Sequence, residues 1–265
     1  MQIFRMELWR SLRSWVYYTA SLIAILVIFL TFFMTFREDA ALLDELLQNF
    51  PPEFRAAFGF ANVDLSQIEG YLSFIFSYLV LIGAVYGMKL GVSLLSEESR
   101  RKTADFLLSK PVRRDQVFLA KFSAAMVCVI VQNLLLFAAG LALIPILVRE
   151  SYDIGIFALL SFSVLLVQMF FIGLGQVIAA AVQTLKQVMP IALGVVFFFF
   201  IIELINQSLL EKALTYLTPF SYFKGASILH LHGYDTSYLL SDIVVFLVLT
   251  LLAAWLYRRK DIHAT

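Results

Sequence analysis

The side chains of this 265-residue chain that could do chemistry are few and widely separated. Glu203 reads as the only acidic residue deep in an apolar run; it follows the phenylalanine stretch 197–200, with Asn206 and Gln207 one turn further on. A carboxyl group in such a run is expensive, so three uses compete: a proton or cation site, a contact to a cationic substrate, or a neutral carboxyl hydrogen-bonded to a neighbouring helix near the outer interface. Two amide pairs, Gln132 with Asn133 and Gln168 with Gln176, are of the kind that bonds between helices or lines a pathway. His230, His232 and Asp235 offer metal-ligand atoms, but two histidines at i and i+2 make no defined coordination set, and no metal is assigned. The single cysteine, Cys128, sits in an apolar run and allows neither an intrachain disulfide nor a thiolate cluster.

Phosphate and hydrolytic chemistry are missing as motifs. No G-x-x-x-x-G-K-[ST] loop is present, and the nearest string, Gly83 to Lys89, has the wrong spacing and lies in an apolar run. No Ser-His-Asp or H-E-x-x-H arrangement is visible. The chain is therefore read as no enzyme, with no cofactor of its own. Gly83, Gly87 and Gly91 recur at every fourth residue, a strip suited to close helix packing or, alternatively, to lining a substrate path.

The elements that must position these residues are apolar helices. Hydrophobic residues make up 61% of the sequence and the mean hydropathy is +0.87, far above soluble domains. Six runs are long enough to cross a ~30 Å hydrocarbon layer: about Val16–Phe36, Tyr71–Leu95, Phe122–Val148, Ile154–Val182, Val188–Leu209 and Tyr238–Tyr257. The 26 phenylalanines show no period of their own and read as packing and lipid-facing residues.

Most of the 20 basic residues fall on one side of such a layout. Arg5, Arg10 and Arg13 precede the first run. Lys89, Arg100, Arg101, Lys102, Lys110, Arg113, Arg114 and Lys121 surround the loop after the second. Lys186 follows the fourth, and Arg258, Arg259 and Lys260 follow the sixth. This bias predicts an even number of spans with both termini in the cytoplasm.

Four segments do not span in this reading. Residues 2–14 place Ile3, Phe4, Leu8 and Trp9 near one face, as an interfacial helix on the inner leaflet would, the alternative being an ordinary positively charged flank. Residues 37–70 form an outer helical cap. Residues 210–237, around Pro219, form short interfacial or re-entrant helices. Residues 96–114 form a cytosolic loop in which Ser96 or Ser99 caps a short helix with Glu97 and Glu98 in its first turn. Phe106, Leu107 and Leu108 lie there among charges, so they need a partner or the membrane to cover them. The fold expected is an all-α polytopic membrane protein, one transmembrane domain over 1–265.

The string Glu97-Glu98, Thr103, Phe106-Leu107-Leu108-Ser109, Pro111-Val112, Arg114 and Lys121 resembles the loop of ATP-binding-cassette export permeases of the six-span, type-2 class. Residues 50–60 before Gly70-Tyr71, Thr218 to Phe223, and Tyr257 to Asp261 resemble that family in the same order. The resemblance implies that the loop is a coupling helix docking on a separate ATPase, with Glu97, Glu98, Arg100, Arg101, Thr103, Asp105, Phe106, Leu107, Ser109, Arg113 and Arg114 as contacts. It implies a second, smaller contact at Gln183 and Lys186, and that the segment 2–14 is a connecting helix. It also implies a second permease copy or paralogue, ATP and magnesium on the partner ATPase, an exported cargo, and the cytoplasmic membrane of a bacterium or archaeon; no nucleic-acid partner is expected. Two rivals stay open: an ion- or proton-coupled carrier centred on Glu203, and a scaffold or sensor subunit that moves nothing. Against the carrier, no internal repeat is evident.

Overall fold

Six of the helices are long and apolar enough to cross a membrane, and no strand occurs among the described residues. The computed structural model describes residues 2–39, 49–51, 55, 64–100, 113–182, 185–209 and 211–259, apart from the side chains at 2, 98–100, 208 and 212. The long helices are α1 (Gln2–Glu38), α2 (Ile68–Arg100), α3 (Arg114–Leu147), α4 (Ile154–Ala181), α5 (Met189–Leu209) and α9 (Thr236–Arg259). Three short ones, α6 (Lys212–Leu217), α7 (Pro219–Tyr222) and α8 (Gly225–Leu231), join α5 to α9.

Two expectations are corrected here. Residues 2–14 are not a helix of their own; they are the first part of the 37-residue α1. No glycine or proline interrupts residues 2–38, so nothing breaks the hydrogen-bond ladder. At 1.5 Å per residue α1 is ~55 Å long, well beyond a hydrocarbon layer of ~30 Å. Likewise Ser96 does not start a new helix, because α2 runs on to Arg100. Its hydroxyl donates to the Val92 carbonyl at 2.7 Å, the back-bond by which serine is accommodated inside a helix. Glu97 therefore lies near the C-terminal end of α2 and not at a helix N-terminus. The proposed helical cap falls largely on 40–48, 52–54 and 56–63, outside the described residues.

The core is the contact between α2 and α4. In their most apolar windows both helices are 67% buried, against 22% for α5 and 17% for α9. Glycines on both sides make this possible. A methyl group at Gly87 would lie 2.7 Å from the Gln168 carbonyl oxygen, and one at Gly175 would lie 2.8 Å from both the Met88 oxygen and the Val92 nitrogen. A methyl at Gly91 would collide with the Ile172 backbone, and one at Gly83 would meet Val164 at 2.8 Å. The two backbones thus approach closely, the packing that small residues permit when no water drives association.

The end of α9 meets the start of α3 at the end of the bundle where α1 begins. There Arg258 Nε lies 2.5 Å from Asp115 Oδ1, and Arg114 donates to the Arg258 carbonyl at 3.1 Å. At the opposite end Arg37 pairs with Glu150. Asp153 caps α4 there, accepting from Gly155 N at 2.7 Å and Ile156 N at 3.2 Å, while its own N–H donates to Glu69 at 3.1 Å.

Candidate functional site

Three polar clusters sit within this apolar frame. The first joins α3 to α4 at mid-bundle. Asn133 Nδ2 donates to Gln168 Oε1 at 2.7 Å, and Gln168 Nε2 donates to Gln132 Oε1 at 3.1 Å. All three side chains are buried, and the two bonds between them pin helix register, while Asn133 also donates to the Val129 carbonyl at 2.8 Å and Gln132 Nε2 and Asn133 Oδ1 have no hydrogen-bond partner. Gln168 also lies beneath Gly83, so the same residue fills the groove that the missing side chain leaves. Gln176, two turns along α4, is buried apart from this ladder and its Oε1 has no hydrogen-bond partner.

The second cluster surrounds Glu203. Lys224 Nζ lies 2.8 Å from Glu203 Oε1, Gln207 donates to the same oxygen at 3.0 Å, and the Ser221 hydroxyl donates to Oε2. Asn206 donates to Thr215 at 3.0 Å and to Ser221 at 3.2 Å, and Thr218 donates to the Phe199 carbonyl at 3.2 Å. The carboxylate is thus an anchor that binds the short helices to α5. A lysine counter-ion replaces the neutral carboxyl among the three uses weighed above, and three donors from within the chain occupy most of the carboxylate's acceptor capacity. Beside it, Tyr222 stacks on Tyr238 with ring centroids 5.7 Å apart. Burial, reinforced by the neighbouring Asp242 charge, Tyr216 and Tyr238, pushes the Tyr222 phenol up to about 12.

The third cluster is at the end that holds the termini. Lys121 is 1% exposed, donates to the Leu94 carbonyl at 2.5 Å and lies 3.8 Å from Glu7. Arg10 also reaches Glu7, at 3.3 Å. Lys89 of α2 donates to Ser14 and sits 4.9 Å from the centre of the Tyr18 ring.

Of the loop residues expected to couple, three have a described environment. Glu97 is partly exposed near the end of α2, Arg113 is the exposed residue before α3, and Arg114 is its first residue. Arg101, Thr103, Asp105, Phe106, Leu107 and Ser109 lie outside the described residues, as does Gln183, and the side chains of Glu98 and Arg100 are likewise undescribed. Lys186 is exposed in the α4–α5 turn. His230 lies in α8 and His232 closes it in the left-handed conformation, with φ 48°.

Sequence reasoning missed four residues. Lys224 partners Glu203 from across a connection whose path no periodicity reveals. Glu7 and Lys121 form a buried pair although each stands among residues that read as surface charges. Asp242 is a second buried acid in an apolar helix, 1% exposed, with no hydrogen-bond partner for Oδ1. Its position seven residues into α9 was a usable signal, hidden by the polar start of that run.

An all-helical protein with six apolar helices, central glycine packing and its charges gathered at the helix ends is a polytopic membrane protein. The chain belongs to the ABC-2 transporter family: the model described as ABC-2 family transporter protein matches residues 1–262. That membership makes it the membrane component of a transporter, with the bilayer as solvent and an ABC ATPase as the implied partner. No curated protein matches the sequence.

Proposed function

We propose that this protein is the permease subunit of an ATP-driven exporter, works as a dimer, and takes its driving force from separate ATPase chains docked on the 96–114 segment. The observation that carries this is the family match across 1–262. The course of the long helices supports it. α2 and α3 both extend past their apolar stretches toward residues 101–112, so that segment is held between two helix ends that also meet α1 and α9. A push on the segment would therefore reach α2, and through the glycine contact α4, as a rigid-body movement. The basic residues there support a cytoplasmic location for this end, with both termini. The short helices α6 to α8, of 6, 4 and 7 residues, are too short to cross and dip into the opposite interface.

Phe106 and Leu107 are the apolar anchors of this docking, with Arg100, Arg101, Arg113 and Arg114 steering the encounter. Phe106→Asp is expected to leave the protein inserted and folded while abolishing co-purification with its ABC ATPase. Recovery of ATPase equal to that of the unaltered protein would remove the coupling assignment. The pairing of Glu203 with Lys224 disfavours the carrier reading, since the acid already holds a cation from its own chain.

A further inference from the structure

Between α1, α2 and α3, at the end that holds the termini, lies a polar cavity of about 140 Å³. At ~30 Å³ per water it has room for four or five waters, which suits one phosphate group and not a nucleotide. Its wall carries two cations, Arg10 and Lys89, and two carboxylates, Glu7 and Glu97. Arg10 pairs with Glu7, which Lys121 also approaches. Lys89 is different. Among the described residues no carboxylate lies within ion-pairing distance of it; its neighbours are the Ser14 hydroxyl and the Tyr18 ring face. A half-buried ammonium with no counter-ion is a costly arrangement unless an anion joins it.

Two further donors belong to residues on its wall. Tyr86 is 1% exposed, lines the cavity, and its hydroxyl has no hydrogen-bond partner. Ser14 accepts from Lys89, which leaves its own hydroxyl proton to donate. One ammonium and two hydroxyls form a donor set for a tetrahedral oxyanion. Glu97, also on the wall, has a partner of its own. On the flanks of α1, Trp9 and Tyr17 are 76% and 74% exposed, the placing of aromatic residues at a membrane–water boundary. The cavity therefore lies at headgroup depth.

We propose that this cavity binds a phosphate group through Lys89, Ser14 and Tyr86, and that its depth favours the headgroup of an anionic phospholipid as the source. The inference does not depend on the ATPase or the cargo. The test uses the full chain in detergent, with native mass spectrometry and thermal unfolding during titration with phosphatidylglycerol, phosphatidylcholine or inorganic phosphate. Phosphatidylglycerol is expected to remain bound at one per chain and to raise the unfolding temperature. Lys89→Gln should weaken that retention about tenfold and Tyr86→Phe severalfold, while Lys89→Arg keeps it. Stabilisation by inorganic phosphate with the same dependence on Lys89 would support the site and assign it a soluble ligand. Equal retention of phosphatidylcholine, no effect of either phosphate source, or undiminished binding by Lys89→Gln would overturn the proposal. Should Lys89→Gln fail to insert, unchanged affinity in Tyr86→Phe would overturn it as well.

Discussion

At the scale of single residues, two of the buried charges, Glu203 and Lys121, meet partners that come from distant parts of the chain. Glu203 on α5 meets Lys224 from the short-helix segment at 2.8 Å, with Ser221 and Gln207 completing its hydrogen bonds. Removing either charge leaves the other in an apolar setting, so Glu203→Ala and Lys224→Ala should each lower the unfolding temperature. In a double-mutant cycle the coupling is expected at about 1–3 kcal/mol, read from unfolding in detergent. Additive effects would show that the pair contributes nothing. Glu7 makes a sharper case, because Lys121 behind it is 1% exposed. Glu7→Gln should lower the unfolding temperature by removing one of the charges near buried Lys121, and Lys121→Met added to it should recover part of the loss. Stability equal to the unaltered protein in Glu7→Gln would show that Lys121 relies on its other contacts. The expense of Glu203 was plain from its place after 197–200. Its partner was not, since pairing across a turn of several short helices leaves no period in the sequence.

At the scale of elements, the α2–α4 contact sets the architecture, and it is decided by what is missing from three side chains. Gly83, Gly87 and Gly91 face Val164, Gln168 and Ile172, and Gly175 returns the contact from α4. Gly91→Leu should therefore prevent folding or insertion, and Gly91→Ala should destabilise. Gly194 on α5 is the matched control, with nothing within 4 Å of an added methyl. Gly194→Ala is expected to be neutral or stabilising by up to about 1 kcal/mol, from helix propensity alone. A comparison of thermal unfolding for the two alanine variants decides it; equal loss in both would refute the packing account. The four-residue glycine period made this strip legible in advance, as did the apolar length of all six long helices. Helix ends were less legible. Charged residues at 2–14 and 96–100 read as breaks, yet charge does not interrupt a helix, and only glycine, proline or a competing cap would have done so. The expected start of α1 was therefore late and the expected end of α2 early. The short helices were foreseen from Pro219 and the mixed composition around it, and α7 does begin at that proline.

At the scale of the whole molecule, both termini, the ends of α2 and α9 and the starts of α1 and α3 gather at one end, and the basic residues follow them. We expect that end to face the cytoplasm. With Cys128 replaced by alanine, a cysteine placed at Lys186 should be closed to a membrane-impermeant maleimide in intact cells and one at Thr236 open; the reverse pattern would invert the topology. The helices least covered by the rest of the chain, α5 and α9, leave a broad apolar surface. The family explains why a membrane chain without a phosphate-binding loop needs partners at all. The most direct measurement is the mass of the assembly isolated from membranes in which this chain and its ABC ATPase are expressed together. Two permease chains with two ATPase chains, lost on Phe106→Asp, is the predicted result. A permease that leaves the membrane with no ATPase attached, under conditions that preserve the fold, would contradict it.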